Sequence, residues 1–394
     1  ESISVPKMVK FEPVTKGEGF FVWNRWVLQF NEDILKNAEK FEWLLEAVQH
    51  ESRHAEQVWS VARLKAAGAT EVIPEVLEGS LMIAAEAPTL FLMLGDNCYF
   101  VQDSEWSSEP GMMQAHLRNR NHDSLRPLLA AVPVLGIWDD HDYGPNDSDG
   151  TFVHKATSLR CFKRMWAQRS YGTGAAAGIF STVRCGPVEL FLTDGRYERR
   201  ERRQILGAAQ LDWLKERLRA SDAAVKLVLS GSQVLPEVAA LPHFNWECWR
   251  RDASGELEEL LSFIEAEDIP GVVFASGDPH LGHILHARGR ALGHGPSREQ
   301  RGPELWELTT SPLAHVPWHE QLWPADSGDP RFFDRYLLCE QVAENYGVID
   351  IDLDRPGEEL RLQLKDAQGA VFASQSVALA SLQVRPAVAK RTVV

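Results

Sequence analysis

The chain has 394 residues, of which 44% are hydrophobic and 25% charged, and its formal net charge is −15. This length and composition fit a globular protein with a sizeable core, built as one large domain with additional segments or as two domains. The charge argues against binding nucleic acid by neutralising backbone phosphates, and no apolar run approaches the roughly 18 residues of a membrane-spanning helix. The five cysteines are scattered without a Cys-x-x-Cys pair, which argues against a zinc knuckle or a disulfide framework.

Residues 1–87 are predicted to form a helical N-terminal extension. Apolar residues recur at spacings of three and four over 33–67, the period of an amphipathic helix, and Gly68 is a plausible stop. In this helix Glu51 and His54 form a Glu-x-x-His pair, an arrangement that ferritin-like di-iron bundles use. Because the chain has no second such pair, an ordinary charged helix face is favoured over an oxygen-using di-iron centre.

From residue 88 onward, short apolar runs alternate with longer helix-like stretches, which is typical of an α/β sheet protein. The predicted helices of this region are 112–130, 156–169, 208–219 and 255–266. The predicted strands are 89–94, 132–138, 187–193, 225–230, 270–275 and 304–309. Apolar and polar residues alternate over 347–353 and 359–364, which predicts antiparallel strands. We therefore expect a core domain over 88–320 and a C-terminal β segment over 321–394 that completes the sheet.

Polar residues follow the central strands at the point where each strand ends. The first strand runs into Gly95-Asp-Asn-Cys-Tyr99, the second into Trp138-Asp-Asp-His-Asp142, and strand 270–275 into Ser276-Gly-Asp-Pro-His280. In open α/β sheets, ligands bind in the crevice beyond the carboxyl ends of the strands. Carboxylates gathered there repel one another unless cations neutralise them, so the sequence predicts a metal site in this crevice.

The residue types in these loops indicate metal-assisted chemistry on phosphate. Oxygen-rich ligand sets with one or two histidines suit Ca, Mg, Mn or Fe. Two ions roughly 3.5–4 Å apart can hold the attacking and leaving oxygens of a phosphoryl transfer, and a metal-bound hydroxide is then the natural nucleophile. Arg196 and Arg199, which follow strand 187–193, offer forked donors that match phosphate oxygens. His141 is a candidate to hydrogen-bond the transferred group or to protonate the leaving oxygen.

Seven segments, in order, resemble the PhoD-like (alkaline phosphatase D) family of the calcineurin-like metallophosphoesterase superfamily. The most specific are Trp138-Asp-Asp-His-Asp-Tyr-Gly-Pro-Asn-Asp147 and Gly95-Asp-Asn-Cys-Tyr99. The other five are Asp194-Gly-Arg-Tyr-Glu-Arg199, Ser230-Gly-Ser-Gln-Val234, Ser276-Gly-Asp-Pro-His280, Glu307-Leu-Thr-Thr-Ser311 and Asn345-Tyr-Gly347. The resemblance covers roughly residues 88–375. It implies a calcineurin-like αββα sandwich that hydrolyses small-molecule phosphomonoesters or phosphodiesters, with iron and calcium as the characteristic metals and manganese, magnesium or zinc as alternatives.

Carried onto this chain, the resemblance implies that Asp96 bridges the two metals and that Tyr99 binds iron as a phenolate. The residues implied to complete the cluster are Asp140 or Asn146, Asp278 and His280. The resemblance also implies that Arg196 or Arg199 grips the phosphate. Members of the family are often exported, so a periplasmic or extracellular location is expected, with a cytoplasmic one as the alternative.

One departure from the family pattern concerns the first strand of the core. Members normally begin with a strand that ends in Gly-Ser-Cys, whose thiolate binds iron, and no such tripeptide precedes Asp96. Cys98 is adjacent in sequence, but the family usually has an ordinary residue there, so a structural role is favoured. A non-catalytic or binding-only relative that lost its iron site therefore stays open beside the enzyme. The motifs do not separate a monoesterase from a diesterase or a phospholipase-like enzyme.

Two weaker candidates lie later in the chain. The aromatic residues Phe244, Trp246 and Trp249 can wall a substrate cleft or pack over a sheet edge, and packing is favoured. His315 and His319 follow strand 304–309 and are candidates to approach the site.

Overall fold

The computed structural model describes residues 10–14, 19–22, 27–31, 80, 82–100, 102–122, 125–236, 247–288, 304–313, 337–341, 344–352 and 359–382. The predicted helix 33–67, with Glu51 and His54, lies outside these residues. The same holds for four side chains singled out in the sequence: Phe244, Trp246, His315 and His319.

The N-terminal part of the chain contains three strands, β1 (Lys10–Val14), β2 (Gly19–Val22) and β3 (Val27–Asn31). They form a sheet of order β1-β3-β2, in which β3 runs parallel to β1 and antiparallel to β2. The prediction that the whole of 1–87 is helical is therefore wrong for these residues. Runs of aromatic and β-branched residues such as Phe20-Phe21-Val22 favour extended backbone, and the helical period of the sequence begins only after them.

Three more sheets follow along the chain. The first is a parallel pair, β4 (Phe91–Leu94) and β5 (Val134–Ile137). The central sheet contains β6 (Ser181–Cys185), β7 (Val188–Leu192), β8 (Val225–Ser230), β9 (Val272–Ser276), β10 (Gly282–Arg288), β11 (Glu304–Thr309) and β12 (Leu337–Gln341). The last is antiparallel and contains β13 (Asn345–Asp352), β14 (Glu359–Asp366) and β15 (Val371–Ala378).

The central sheet has seven strands in the order β12-β10-β11-β9-β8-β7-β6. Its middle strands β7, β8, β9 and β11 are parallel, while β6, β10 and β12 are antiparallel to their neighbours. The strands that the sequence analysis did not predict are β1, β2, β3, β6, β10, β12 and β15. The predicted strands 225–230 and 304–309 agree with β8 and β11 at both ends.

The helices described are α1 (Asp103–Trp106), α2 (Glu109–Arg120), α3 (Arg126–Ala131), α4 (Asp140–Tyr143), α5 (Lys155–Met165), α6 (Ala208–Ala220), α7 (Trp249–Asp252), α8 (Ser254–Ala266) and α9 (Leu379–Leu382). Residues 82–85 are also helical. None of the helices in the described part of the chain is long and apolar enough to cross a membrane.

The predicted helix 112–130 is two helices in the structure, α2 and α3. The first begins at Glu109, where the Oγ of Ser108 accepts a hydrogen bond from the Gly111 N–H at 3.2 Å. The second has Pro127 in its first turn, a position where no helical hydrogen bond needs the missing N–H. The prediction of one continuous helix is wrong because Pro127 would lie in its interior, where proline lacks the backbone N–H and clashes with the preceding turn.

Hydrophobic cores cover both faces of the central sheet. Along β8, Leu227 and Leu229 face one core and Val228 faces the other, as the two-residue period of a strand requires. One core lies against α6 and α8. The other lies against the smaller sheets and includes Ile137 of β5 and Leu362 of β14.

A further cluster lies on the outer side of the two smaller sheets. It joins Ile83, Leu128 of α3 and Tyr346 of β13, with Phe91 and Val348 packed against it. The layers are therefore helices, central sheet, smaller sheets and helices. This arrangement confirms the predicted αββα sandwich.

Candidate metal centre

The carboxyl ends of four strands meet at one rim of the sandwich. Leu94 pairs with Ile137, so the loops that follow β4 and β5 leave side by side. Gly95 has a φ of +117°, and a Cβ on it would lie 2.6 Å from the Cβ of Asp139, which explains the glycine at this close approach. The N–H of Gly277, after β9, donates to the carbonyl of Gly231, after β8, at 3.1 Å. Acidic loops that are far apart in sequence are thereby brought together.

Two groups of side chains at this rim have the geometry to hold a cation. In the first, ligand atoms of Asp96, Asp140 and His141 lie within 4.8 Å of one another. In the second, ligand atoms of Asp140, Asp147 and Glu247 lie within the same distance. Asp140 belongs to both groups. The arrangement therefore offers two adjacent positions for cations that share one carboxylate.

Burial and mutual repulsion dominate the electrostatics of two carboxylates at the rim, Asp96 and Asp278. Burial raises the pKa of Asp96 well above its ordinary value, and the charges of Asp140 and Asp139 raise it further. Burial likewise raises the pKa of Asp278. The negative charges of its neighbours raise it further: Asp139, Glu247, Asp140 and Asp96. Asp278 therefore faces the same cluster. Cations bound here would relieve this repulsion.

Asp140 differs from Asp96, Asp139 and Asp278 because its pKa is lowered and theirs are raised. Burial acts to raise its pKa, but the charges of His141 and Arg196 and a hydrogen bond from the Asp147 N–H, 2.7 Å from Oδ2, hold the pKa below its ordinary value. Asp139 is buried too, and burial raises its pKa to about 6 against the lowering effect of Arg196. The Oδ2 of Asp139 is buried and accepts no hydrogen bond from the residues that the structure describes. A buried oxygen of this kind is a donor suited to a hard cation.

Tyr99 and His141 lie against each other beside Asp96. The Tyr99 hydroxyl donates to Oδ2 of Asp96 at 3.0 Å, and the two rings stack with their centroids 4.3 Å apart. Burial and the charge of Asp96 raise the pKa of Tyr99 well above its ordinary value. Binding of iron by the Tyr99 phenolate stays a prediction, because a cation would have to displace the hydroxyl proton that Tyr99 donates to Asp96.

The remaining predicted ligands lie on the same rim. Asp278 and His280 both have positive φ, +79° and +51°, in the loop after β9, and both line one cavity together with Asp96 and Tyr99. His280 is buried and Asn146 is exposed. Asn146 immediately precedes Asp147, the residue of this loop that contributes to the second group.

Arg196 and Arg199 have contacts that differ from the predicted ones. Arg196 is fully buried, and its guanidinium donates to Oδ1 of Asp139 at 2.5 Å and to Oε2 of Glu247. Arg199 is 2% exposed and donates to Oε1 of Glu247 at 2.9 Å and to Oδ2 of Asp252 at 2.5 Å. Both guanidinium groups are therefore engaged by carboxylates behind the rim. That Arg196 or Arg199 grips phosphate stays a prediction; the contacts in the structure are those of groups that position Asp139 and Glu247.

The sequence profile of the PhoD-like phosphatase family matches residues 81–327, more than half of the chain. The chain belongs to this family. No curated protein is significantly similar to it in sequence.

Two solved structures share the fold of this PhoD-like chain. A structure of PhoD has 15% sequence identity and a TM-score of 0.56, with 76% of this chain and 69% of that chain covered. Purple acid phosphatase PPD1 from yellow lupin (Lupinus luteus) seeds has 10% identity and a TM-score of 0.50. That match covers 77% of this chain and about half, 49%, of the lupin protein. The comparisons confirm the predicted family and the metallophosphoesterase fold.

The sequence analysis of this PhoD-like phosphatase missed three acidic residues of the rim as candidate ligands. Asp139 and Asp147 lie inside the quoted Trp138–Asp147 segment, and the sequence alone gives no reason to prefer one aspartate of that segment over the next. Glu247 follows no predicted strand, and its aromatic neighbours Trp246 and Trp249 suggested packing instead. Trp249 is in fact fully buried in the core beside α8. Only the tertiary fold brings Glu247 to Asp140.

Two other acidic residues near the rim have structural roles. The side chain of Asp142 accepts from the Asp139 N–H at 2.7 Å and from Nδ2 of Asn97 at 2.6 Å, which ties the loops after β4 and β5 together. Asp194 accepts from the Trp138 indole N–H at 2.8 Å and from the backbone N–H groups of its own turn. These bonds hold the shape of the rim without presenting a free carboxylate.

Cys98 is buried behind the rim, with its Sγ 3.1 Å from Nδ1 of His116 on α2. Burial raises the pKa of the Cys98 thiol well above its ordinary value, and the charge of Asp142 adds to this effect. Within the described residues, Cys98 belongs to neither of the groups that can hold a cation. This environment favours the structural role over that of a replacement iron ligand.

We expect His116 to make the protein sensitive to acid. Burial, aided by Arg120, lowers the pKa of His116 to about 4, below the unfolded value of 6.5. The neutral ring therefore stabilises the fold fully above pH 6.5, and this contribution falls by roughly 1.4 kcal/mol per pH unit as the pH drops towards 4. Urea unfolding at pH 7 and pH 5 should show a loss roughly 2 kcal/mol greater in the native protein than in His116→Leu. Equal losses in both proteins would contradict this assignment.

Proposed function

We propose that this chain hydrolyses small-molecule phosphate esters with the help of two metal ions bound at the rim of the sandwich. The observation that carries the proposal is that Asp140 belongs to both groups of ligand atoms, each within 4.8 Å. Membership of the PhoD-like phosphatase family supports the reaction class. Iron and calcium are the proposed metals from the family resemblance, with manganese, magnesium or zinc as alternatives.

The residues present fit such ions. Asp96, Asp140, Asp278 and His280 are the proposed ligands, and the orphaned buried oxygen of Asp139 supports an oxygen-rich donor set. Bound cations supply Lewis acidity: they lower the pKa of a water and neutralise charge on the phosphoryl oxygens. The sequence analysis gave the bridging role to Asp96. The presence of Asp140 in both groups supports assigning the shared position to Asp140 instead.

His141 is the proposed proton donor to the leaving oxygen; although its ring lies within reach of Asp96 and Asp140, in this proposal it serves the substrate and does not bind a cation. Its ring is held by stacking on Tyr99, and its backbone N–H lies 3.0 Å from Oδ1 of Asp140 and 3.4 Å from Oδ1 of Asp96. The residue is half-buried, so one side of it is open to a substrate. An imidazole held in this way can donate a proton to the leaving oxygen of a bound substrate.

The role of His141 predicts a dependence on the leaving group. We expect His141→Asn to lower kcat/KM for an alkyl phosphate by roughly 100-fold or more, because an alkoxide must be protonated as it leaves. The loss for p-nitrophenyl phosphate should be much smaller, since nitrophenolate leaves without a proton. The control is His154→Asn, which makes the same change at the N-cap of α5, a position where asparagine is favourable. Equal losses on both substrates would show that His141 does not act as the proton donor.

Hydrolysis of p-nitrophenyl phosphate and bis(p-nitrophenyl) phosphate, combined with metal analysis, tests the proposal and separates monoesterase from diesterase activity. We expect stoichiometric metal, turnover that is lost on chelation, and recovery when metal is restored. The lack of a first-strand Gly-Ser-Cys favours one competing function, a binding-only relative. Protein that takes up no metal and shows no turnover after reconstitution would establish that alternative.

A further inference from the structure

One buried carboxylate of the central sheet takes the place of a core side chain. Along β11, Leu305 faces the core beside α6 and α8, and Glu307 lies on the same face because side chains alternate along a strand. Glu307 is fully buried. A buried carboxylate destabilises a fold unless hydrogen bonds or opposite charges compensate for its lost hydration. The hydrogen-bond partners of Glu307 therefore indicate what this residue does.

Glu307 accepts hydrogen bonds from two loops that lead to the rim. Its Oε1 accepts from the Ser276 hydroxyl at 2.6 Å and from the Val234 N–H at 2.9 Å, and its Oε2 accepts from the Leu235 N–H at 2.6 Å. Ser276 is the last residue of β9, and Val234 and Leu235 follow β8. One carboxylate therefore ties together the segments that leave two neighbouring parallel strands.

The segment after β9 carries Asp278. Ser276 lies two residues before it, and the N–H of the intervening Gly277 donates to the carbonyl of Gly231. Asp278 itself has a φ of +79°, a strained conformation that persists only where the surrounding structure fixes it. The bond from the Ser276 hydroxyl to Glu307 fixes the chain immediately before this strained residue.

The segment after β8 is linked in turn to Glu247. The carbonyl of Gln233, next to Val234, accepts from the Trp249 N–H at 2.9 Å, and Gln233 pairs with Cys248 in an isolated bridge. Glu247 comes directly before Cys248 and belongs to the second group of ligand atoms. A displacement of the segment after β8 would therefore move Glu247.

We propose that Glu307 is a positioning residue for the candidate metal centre: by binding the loops after β8 and β9, it holds Glu247 and Asp278 at the rim. The proposal rests on the proposed function for the presence of cations, whereas the anchoring of the two loops does not depend on it. Residues that support metal ligands in this indirect way typically contribute about 10–100-fold to metal affinity or activity.

Glu307→Gln removes the charge and keeps the shape of the side chain. The amide of glutamine has one acceptor oxygen and one donor nitrogen, so its NH₂ group would face an N–H or O–H donor. The matched control is Glu256→Gln on α8. The Glu256 carboxylate likewise accepts from three backbone N–H groups, those of residues 205–207, at 2.7, 3.0 and 2.8 Å. Residues 205–207 contribute to neither group of ligand atoms found in the described part of the chain.

Amide hydrogen exchange of the metal-free full chain, followed by mass spectrometry, tests the anchoring. We expect the amides of 233–235 and 276–278 to exchange at least roughly tenfold faster in Glu307→Gln than in the native protein, because the bonds that hold these loops are lost. Glu256→Gln should accelerate exchange at 205–207 and leave the two rim loops unchanged. Native exchange rates at 233–235 and 276–278 in Glu307→Gln would overturn the proposal.

Calorimetric titration with Mn²⁺ tests the effect on the metal centre. We expect Glu307→Gln to weaken the affinity for Mn²⁺ at least roughly tenfold and Glu256→Gln to change it by no more than about twofold. Saturating Mn²⁺ should restore most of kcat for p-nitrophenyl phosphate in Glu307→Gln, because Glu307 places the ligands and takes no part in the reaction. A variant that merely unfolds would lose activity at every Mn²⁺ concentration.

Equal Mn²⁺ affinity of the two variants would overturn the proposal. Lack of Mn²⁺ binding by the native protein would instead overturn the proposed function, and the exchange rates would still decide whether Glu307 anchors the loops.

Ser276→Ala tests the same role without removing the charge, in case Glu307→Gln lowers the folded fraction. It removes only the bond between the Ser276 hydroxyl and Glu307 on the path to Asp278. We expect faster exchange at 276–278, native exchange at 233–235, and an affinity for Mn²⁺ that is weaker by roughly threefold or more. Native exchange together with native Mn²⁺ affinity in Ser276→Ala would overturn the assignment of Glu307 as the residue that positions Asp278.

Discussion

Asp140→Asn is expected to lower the hydrolysis of p-nitrophenyl phosphate by at least roughly 100-fold and to lower metal content in parallel. Asp140 contributes to both groups of ligand atoms, and its pKa, like that of Glu247, lies below the ordinary value. The amide of asparagine keeps the shape but removes the charge that two neighbouring cations would share. Steady-state kinetics and metal analysis of the purified variant measure both effects.

A matched control for this substitution is Asp222→Asn, which removes the same charge from a carboxylate whose side chain is 95% exposed. Asp222 lies in the turn between α6 and β8, and the variant should keep native turnover and native metal content. Full activity of Asp140→Asn, with its metals retained, would contradict the shared role of Asp140. Equal losses in both variants would point to an indirect effect of charge.

Arg196→Met is expected to destabilise the fold by roughly 3–5 kcal/mol, because it leaves buried carboxylates without their partner. The guanidinium of Arg196 is fully buried between Asp139 and Glu247, and Glu247 is in turn shared with Arg199. Methionine replaces most of the side-chain volume and none of the charge. Urea denaturation at neutral pH measures the difference in the free energy of unfolding.

The control is a surface arginine that also pairs with a glutamate. Arg160 on α5 bonds Glu109 at 3.1 Å with its side chain 56% exposed, and Arg160→Met should change stability by no more than about 1 kcal/mol. If Arg196→Met is as mild as this control, the buried network does not hold the rim together. Loss of phosphate affinity with unchanged stability would support the prediction that Arg196 grips the substrate.

The strands and loops that build the rim could be predicted from the sequence because the apolar run of a strand and the polar residues after it are both local patterns. Buried parallel strands read as apolar runs, as in Val225–Ser230, and the residues that follow them are read directly from the chain. Asp96, Asp140 and Asp278 were identified in this way. The rule that the carboxyl ends of parallel strands share one rim brings Asp96 beside Asp140; Asp278 follows β9 of the central sheet, and the packing of the two sheets brings it to them.

The roles of Glu247 and Arg196 and the position of β10 depend on tertiary contacts, which no local sequence pattern indicates. Glu247 reaches Asp140 from a segment without a predicted strand before it, and Arg196 pairs with Asp139 and Glu247, which lie far from it in sequence. β10 was missed because Gly282, His283 and His286 interrupt its apolar pattern. These residues are tolerated because neighbouring strands bury them: His283 lies beside Gln233 and His286 stacks on Trp306.

The central claim is that carboxylates from separate loops, Asp96, Asp140 and Asp278, hold metal ions in common. Anomalous X-ray diffraction from crystals of the full chain, grown after reconstitution with iron and calcium, tests it most directly. We expect two anomalous peaks roughly 3.5–4 Å apart, with Asp140 in contact with both. Crystals without an anomalous peak at this rim, or with ions bound only elsewhere on the molecule, would contradict the account.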